Sequence, residues 1–253
     1  MAEGGSLDGL VAIVTGGGRH LGRAYALGLA RAGLAVAVAD LADPSPVADE
    51  IEAEGGRSLA LPVDVTDPAA TEAMAERTVE AFGRIDVLVN NAGYFKQTKK
   101  GPWDRIDVEE WDRAFDVNVR GTWLCCRAVV PQMRRQGSGR IVNIGSNTVY
   151  KGGPPGFLHY ISSKSAILGL TRSLARELGE AGIAVNMLCP DYIPDEEQRA
   201  ADAANHDIVI SQRIFKRAEV PEDMMGALMF LAGPGSTFIT GQSILVNGGI
   251  FLQ

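Results

Sequence analysis

Tyr160 and Lys164 lie four residues apart in HYISSKSAILGLTRSLARELG, a spacing that sets both on one helix face, one turn apart. A free phenol has a pKa of about 10, too high for base work near neutrality. A neighbouring ammonium favours the phenolate and lowers that value. The pair predicts a tyrosine general acid/base, and Ser146, just after the apolar run Ile141–Ile144, is placed to bind the reacting oxygen. A Tyr-x-x-x-Lys pair alone is an ordinary surface pair, so the meaning of this one depends on what surrounds it.

The elements that must position these groups are legible as alternating apolar runs and helical segments. Strands are predicted at Leu10–Val14, Ala35–Ala39, Ser58–Leu61, Val87–Asn90, Ile141–Ile144, Ala184–Leu188 and Ile244–Val246. Helices are predicted at Arg23–Ala32, Val47–Glu54, Ala69–Phe82, Val108–Met133, Tyr160–Leu178 and Glu222–Leu231. Strands separated by helices imply right-handed crossovers, hence an α/β fold: a Rossmann-like, doubly wound, seven-stranded parallel sheet with helices on both faces. With no repeat and no long linker, residues 1–253 read as a single domain. In such a sheet, ligands bind beyond the carboxyl ends of the strands. Polar stretches follow six strands in turn: TGGGRHLG, Asp40 with Leu41, DVTD, NNAG, GSNT and CPDYIP.

The turn Thr15–Gly22 offers backbone N–H groups and a helix N-terminus to a pyrophosphate. Gly16, Gly17, Gly18 and Gly22 permit the tight turn, with Arg19, His20 and Leu21 between them. His20 falls where the helix begins and is predicted to have ordinary negative φ, as a tolerated side chain pointing out or toward the pyrophosphate. Asp40 can accept both ribose hydroxyl protons of NAD and would repel the extra phosphate of NADP. Arg19 pulls the other way, but a carboxylate beside the ribose weighs more, and NAD is the expected cofactor.

Together, TGGGRHLG, NNAG, IGSNT and the Tyr160/Lys164 helix make the chain resemble the short-chain dehydrogenase/reductase family over nearly its whole length. That resemblance implies a catalytic set of Asn118, Ser146, Tyr160 and Lys164, with Asn118 in DVNVRGTW anchoring a proton-relay water. It further implies that Asp64 and Val65 hold the adenine, that Asn91, Ala92 and Gly93 line the cofactor near its ribose, and that Pro190 and Ile193 flank the carboxamide. The sequence departs from the family pattern twice. His20 replaces the middle glycine of the first turn, and Asp191 and Asp195 replace the usual glycine and hydroxyl residue after the sixth strand. Within the family, HYISSKSA, LTRSLARELG and FITGQSILVNGG are most similar to NAD-dependent secondary-alcohol dehydrogenases such as 1-phenylethanol dehydrogenase, and also resemble pyridoxal 4-dehydrogenase. Family members are usually tetramers, so a homotetramer is implied, pairing the helices at Val108–Met133 and Tyr160–Leu178, with GGIFLQ at another interface.

Tyr94, Phe95, Val149, Tyr150, Phe157, Leu158, Tyr192 and Ile193 suggest an apolar pocket for a hydrophobic secondary alcohol or ketone. A mobile lid is expected around 193–215, centred on the polar, weakly periodic segment Asp195–Arg213. The basic run Lys96–Arg105 is read as a solvated loop. A net charge of −7 and a pI near 5.1 leave no basic footprint for nucleic acid. No apolar run approaches the roughly 18–20 residues of a membrane span, and MAEGGSLDGL has neither the basic start nor the apolar core of a signal peptide, so a cytoplasmic protein is expected. Cys125, Cys126 and Cys189 match no zinc motif, and His20, His159 and His206 form no ligand set, so no metal is expected. Two other functions fit parts of the pattern. One is an NADP-linked 3-ketoacyl reductase acting on a carrier-protein thioester, which Arg19, Arg134 and Arg135 allow and Asp40 opposes. The other is a non-catalytic NAD-binding regulator, which the altered turns allow and the intact catalytic set opposes.

Overall fold

The computed structural model describes residues 7–201 and 203–252. Seven strands form one parallel sheet in the order β3-β2-β1-β4-β5-β6-β7: β1 (Val11–Thr15), β2 (Ala35–Asp40), β3 (Arg57–Pro62), β4 (Val87–Asn90), β5 (Gly139–Ile144), β6 (Ile183–Pro190) and β7 (Ser243–Val246). The predicted strands all form, most of them extended by a residue or two. The apolar runs are continuous because the sheet is covered on both faces, and β1, β4 and β6 are buried along their whole length. Alternate β1 side chains enter two cores: Ala12 and Val14 pack with Tyr25, Leu29 and Leu228, while Ile13 packs with Val129, Met133 and Leu178.

Helices α1 (His20–Arg31), α2 (Ser45–Ala53) and α3 (Pro68–Phe82) complete the first half. Asp67 caps α3 by accepting the Ala69 N–H at 2.9 Å, Pro68 supplies a first turn that needs no N–H, and Gly83 ends it in the left-handed region. The chain order reverses between β1 and β4, so the loops after these strands part and leave a crevice at the sheet's carboxyl edge.

The single helix predicted over Val108–Met133 is α4 (Val108–Phe115) and α5 (Thr122–Gln136), joined by a wider π turn at Asp116–Gly121. One widened turn leaves the apolar periodicity on either side intact, which is why the pattern reads as continuous. A short helix, α6 (Thr148–Lys151), precedes α7 (Leu158–Leu178). The expected lid holds α8 (Glu196–Ala201) and α9 (Ala203–Gln212), and its residue 202 lies outside the described residues. Helix α10 (Met225–Ala232) is entered through a tight turn at Pro221–Met224. Gln253 of GGIFLQ and residues 1–6 also lie outside the described residues. No helix among the described residues is long and apolar enough to cross a membrane.

Where α1 leaves the first turn, a Cβ on Gly22 would sit 1.9 Å from the Gly16 carbonyl oxygen and 2.6 Å from Asn91 Nδ2. Both neighbours are fixed parts of the turn, so Gly22→Ala must displace it. We expect a loss of about 1–3 kcal/mol, as for other over-packed positions, read from the urea midpoint, together with weaker dinucleotide binding.

Candidate active site

The first turn is braced from β4. Thr15 Oγ1 accepts the N–H groups of Asn91 and Ala92, each at 3.1 Å, and Asn91 Nδ2 donates to the Thr15 and Gly16 carbonyls, each at 3.0 Å. Gly16 has φ 62, and a Cβ there would lie 2.8 Å from Ala92 Cα. The Gly18 N–H is taken by Asp40 Oδ2 at 2.9 Å. Thr15 and Gly18, expected as cofactor contacts, therefore hold the turn from behind, while Gly16, Arg19, His20, Leu21 and Gly22 face the crevice. His20 begins α1 as expected, but its φ is +46, not the ordinary negative value predicted for it. Arg19 enters extended at φ −159, and the chain turns through the left-handed region at the family's glycine position to start the helix. That conformation costs an L-residue about 1–2 kcal/mol.

Asp40 ends β2 with Oδ2 on the Gly18 N–H and Oδ1 on the Ala42 N–H at 3.1 Å, so each oxygen keeps a lone pair for a ligand hydroxyl. Leu41 beside it is 67% exposed, an apolar surface at the mouth of the crevice. Asp64 Oδ1 accepts the Thr66 N–H at 2.9 Å and hydroxyl at 2.7 Å. Burial pushes the Asp64 carboxyl up, but those two bonds and the Arg113 charge prevail and hold it below its ordinary value. Val65, Asn91, Ala92 and Gly93 line the same wall. The crevice encloses ≈ 1420 Å³, more than the ~300–1,000 Å³ of most single-ligand pockets, which leaves room for a dinucleotide and a second small molecule.

Ser146, Tyr160 and Lys164 converge where β5 and α7 meet the crevice, each nearly buried. The Tyr160 phenol lies beside Ser146, whose Oγ accepts the Thr148 hydroxyl at 2.9 Å. The ammonium was expected to lower the phenol pKa. Instead, burial pushes Tyr160 up to about 12, opposed by Ser146 and reinforced by Cys189. Burial also holds Lys164 down at about 8. The Lys164 Nζ donates to the Ile144 carbonyl at 2.8 Å, and burial is the largest cause of the shift in both groups.

Asn118 sits in the π turn, away from the crevice surface, and joins three elements. Its Oδ1 accepts the Tyr94 N–H at 2.7 Å, and its Nδ2 donates to Ser163 Oγ at 2.8 Å, which donates to the Tyr160 carbonyl at 2.7 Å. A further buried pair escaped the sequence reading. Glu110 accepts the Lys99 N–H at 2.7 Å and the Tyr94 hydroxyl at 3.0 Å, and lies 3.5 Å from His159 Nε2. Glu110 lies in no quoted motif, and His159 opens the HYISSKSA stretch with no partner visible in the sequence. Only the fold brings them together.

Phe95 and Phe157 wall the reacting end, with ring centroids 5.0 and 6.2 Å from Tyr160, and Tyr94, Tyr192 and Ile193 also face the crevice. Val149 and Tyr150 do not. Helix α6 turns them onto Ile167, Met187 and Leu245, and Tyr150 stacks on Phe251 at 6.2 Å. The basic run is not simply solvated either. Lys96 and Lys100 line the crevice, with Lys96 bound to Asp195 and Glu197 and Lys100 4.9 Å from the Phe157 ring centroid. All three cysteines are buried free thiols, pushed up by burial.

Asp191, unexpected after β6, is the centre of a buried charge network. Its Oδ2 accepts Arg213 at 2.9 Å, and its Oδ1 accepts Asn147 Nδ2 at 2.6 Å and Lys151 at 3.2 Å. Arg213, 2% exposed, also reaches Glu219 at 3.3 Å and the Tyr192 carbonyl at 3.1 Å. The far end of the 193–215 segment is thereby rooted beside Pro190, which itself lines the crevice.

A dinucleotide cradle at a sheet switch point, next to a buried Ser-Tyr-Lys cluster with an aromatic wall, defines an oxidoreductase using a nicotinamide cofactor. A family model described as "Enoyl-(Acyl carrier protein) reductase" matches residues 17–250. The 3-oxoacyl-[acyl-carrier-protein] reductase of Staphylococcus epidermidis is 39% identical over 95% of this chain and 98% of its own length. The (2S)-[(R)-hydroxy(phenyl)methyl]succinyl-CoA dehydrogenase subunit BbsD of Thauera aromatica is 38% identical over 94% and 95%. The structure of a short-chain type dehydrogenase/reductase from Mycobacterium marinum superposes with a TM-score of 0.91 at 32% identity, covering 98% of each chain. The chain belongs to the short-chain dehydrogenase/reductase family. The 1-phenylethanol dehydrogenase branch is not among these relatives.

Burial and the Asp191 charge raise Glu219 to about 8 from an ordinary 4.5, against the Arg213 charge, which lowers it. The folded state therefore holds a proton that the unfolded chain releases between those values. The associated stability is complete below pH 4.5 and is lost as pH rises to about 8. Glu219→Gln should flatten the fall of the urea midpoint across this window. An unchanged slope would assign the fall to other groups.

Proposed function

We propose that the protein is an NAD-dependent oxidoreductase interconverting a hydrophobic secondary alcohol and its ketone, with Tyr160 as general acid/base. Bound NAD(H) would accept or return the hydride. Gly16, Leu21 and Gly22 would border its pyrophosphate, Asp40 its ribose, Asp64 and Val65 its adenine, and Pro190 and Ile193 its carboxamide. Tyr160 would take the hydroxyl proton at its phenolic oxygen, Ser146 would hold the substrate oxygen, and Lys164 would supply charge and a donor beside them. Asn118 fixes the backbone from which Tyr160 projects and, by family resemblance, a water that carries the proton out.

Asp40 is the observation that carries the NAD reading. Its carboxylate is locked in place by two backbone N–H groups, and a ribose phosphate there would face a fixed like charge. The aromatic wall of Phe95, Phe157 and Tyr192 supports a hydrophobic substrate. The relatives support a second reading, reduction of a 3-oxoacyl thioester, for which Lys100 at the crevice offers a cation to an anionic carrier. A non-catalytic NAD-binding role has less support, since binding alone has no use for the Ser146–Tyr160–Lys164 cluster. We further propose a cytoplasmic homotetramer. Trp111 and Trp123 leave apolar surface exposed on α4 and α5, as do Phe238 and Leu252 toward the carboxyl end, and light scattering measures the mass directly.

The reading is tested with 1-phenylethanol, cyclohexanol, 2-butanol and, in reverse, acetoacetyl-CoA, each with NAD(H) and NADP(H), followed by nicotinamide absorbance. We expect the aromatic alcohol to be preferred and kcat/KM to be at least about tenfold higher with NAD, a difference near 1.4 kcal/mol. Equal or faster turnover with NADP would remove the cofactor assignment. Strong preference for the thioester would transfer the assignment to the second reading.

A further inference from the structure

Directly after β6, the two carboxylate oxygens of Asp191 serve two different elements of the crevice. Oδ1 takes both ends of α6. It accepts Asn147 Nδ2 at 2.6 Å, just before the helix, and Lys151 Nζ at 3.2 Å, at its last residue. Oδ2 takes the carboxyl end of the strap formed by residues 203–213. It accepts Arg213 Nη2 at 2.9 Å and Nε at 3.3 Å, directly after α9. The Asp191 side chain is 5% exposed and that of Arg213 2%, so this contact forms away from water, where a charged hydrogen bond is strongest.

Helix α6 is also what holds Ser146. Its first turn closes on the Ser146 carbonyl through the Val149 N–H at 3.3 Å. The Thr148 hydroxyl and N–H both reach Ser146 Oγ, at 2.9 and 3.3 Å. An asparagine before a helix ordinarily turns its side chain back to cap the first N–H groups. Asn147 makes no such cap and gives its amide to Asp191 instead. A helix of four residues is too short to hold its own shape, so α6 depends on the groups that pin its ends. Lys151 and Gly152 at the end of α6, and Val209 and Gln212 on α9, line the same crevice. Glycine, which the family pattern places at 191, could serve neither element.

We propose that Asp191 is a positioning residue that clamps the α6 turn and the end of the strap into one unit, so that the Ser146 hydroxyl and the strap keep fixed places on the crevice. The clamp is independent of the substrate. Its effect on turnover rests on the catalytic role proposed for Ser146.

Hydrogen exchange and kinetics of the full-length protein test this in Asp191→Ala, Asp191→Asn and Lys151→Met. Alanine frees both elements. Asparagine keeps one acceptor oxygen but turns an NH2 group toward donors on its other side, so it can serve one element only. Lys151→Met removes one α6 bond and leaves Arg213 held. We expect peptides covering 147–152 and 206–213 to exchange at least about fivefold faster in Asp191→Ala. Only one of the two should loosen in Asp191→Asn, and only 147–152 in Lys151→Met. With NADH and acetophenone, kcat should fall about tenfold or more in Asp191→Ala, as for small misplacements of a reacting group, with NADH affinity within about twofold of the parent protein. The primary isotope effect from deuterated NADH should rise in the same variant, which a smaller folded fraction would not produce. Wild-type exchange of both peptides in Asp191→Ala, or equal loosening of both in Lys151→Met, would overturn the clamp. Loss spread equally over β1 and α1 would mark a fold effect and also overturn it. An unchanged kcat and isotope effect in Asp191→Ala would overturn the positioning of Ser146. If the parent protein does not turn over acetophenone, the proposed alcohol–ketone reaction fails, while the exchange pattern still decides the clamp.

Discussion

The Asn118 carboxamide is the interaction on which the rest of the site depends. It is buried in a π turn, accepts from Tyr94 on the β4–α4 loop, and donates to Ser163 on the helix that bears Tyr160 and Lys164. Three elements far apart in sequence therefore share one hydrogen-bonded point. A regular helix through residues 116–121 would carry this side chain to a different azimuth, since each residue advances about 100° around the axis. Leaving its donor or acceptor unmatched in the interior would cost about 1–3 kcal/mol per group. The π turn is thus the means by which the helical layer fixes the reacting groups.

Burial then determines the charge state of what Asn118 assembles. Tyr160 and Lys164 are both driven toward neutrality, the phenol to about 12 and the ammonium to about 8. The same logic governs the root of the strap. Asp191, Arg213 and Glu219 are buried together, and removing Arg213 would leave two buried carboxyl groups side by side, which costs far more than an exposed pair is worth.

Much of this was legible in the residues. The parallel strands could be read because both faces are covered, which makes runs such as VAIVT and VLVN continuously apolar. Helix α7 could be read because Tyr160 and Lys164 keep helical spacing in a chain that also holds GSNT and NNAG. What could not be read is long-range or conformational. The left-handed φ of His20 is a backbone property that its side-chain type does not disclose. The role of Asp191 depends on Arg213 and Glu219, 22 and 28 residues away. Val149 and Tyr150 are apolar residues expected in the pocket, but a four-residue helix turns them into the packing against β6 and β7. Lys96 looked solvated because its acidic partners lie about a hundred positions further along the chain.

The central claim is that the Tyr160 hydroxyl, beside Ser146 in the cofactor crevice, moves the proton of the reaction. Tyr160→Phe removes that oxygen and keeps the ring packed against Phe95 and Phe157. The most direct measurement is turnover of this variant beside its NADH dissociation constant. The account predicts a loss of about 10²–10⁴-fold or more in kcat with NADH affinity within about twofold of the parent protein. Near-normal turnover in the phenylalanine variant would contradict it.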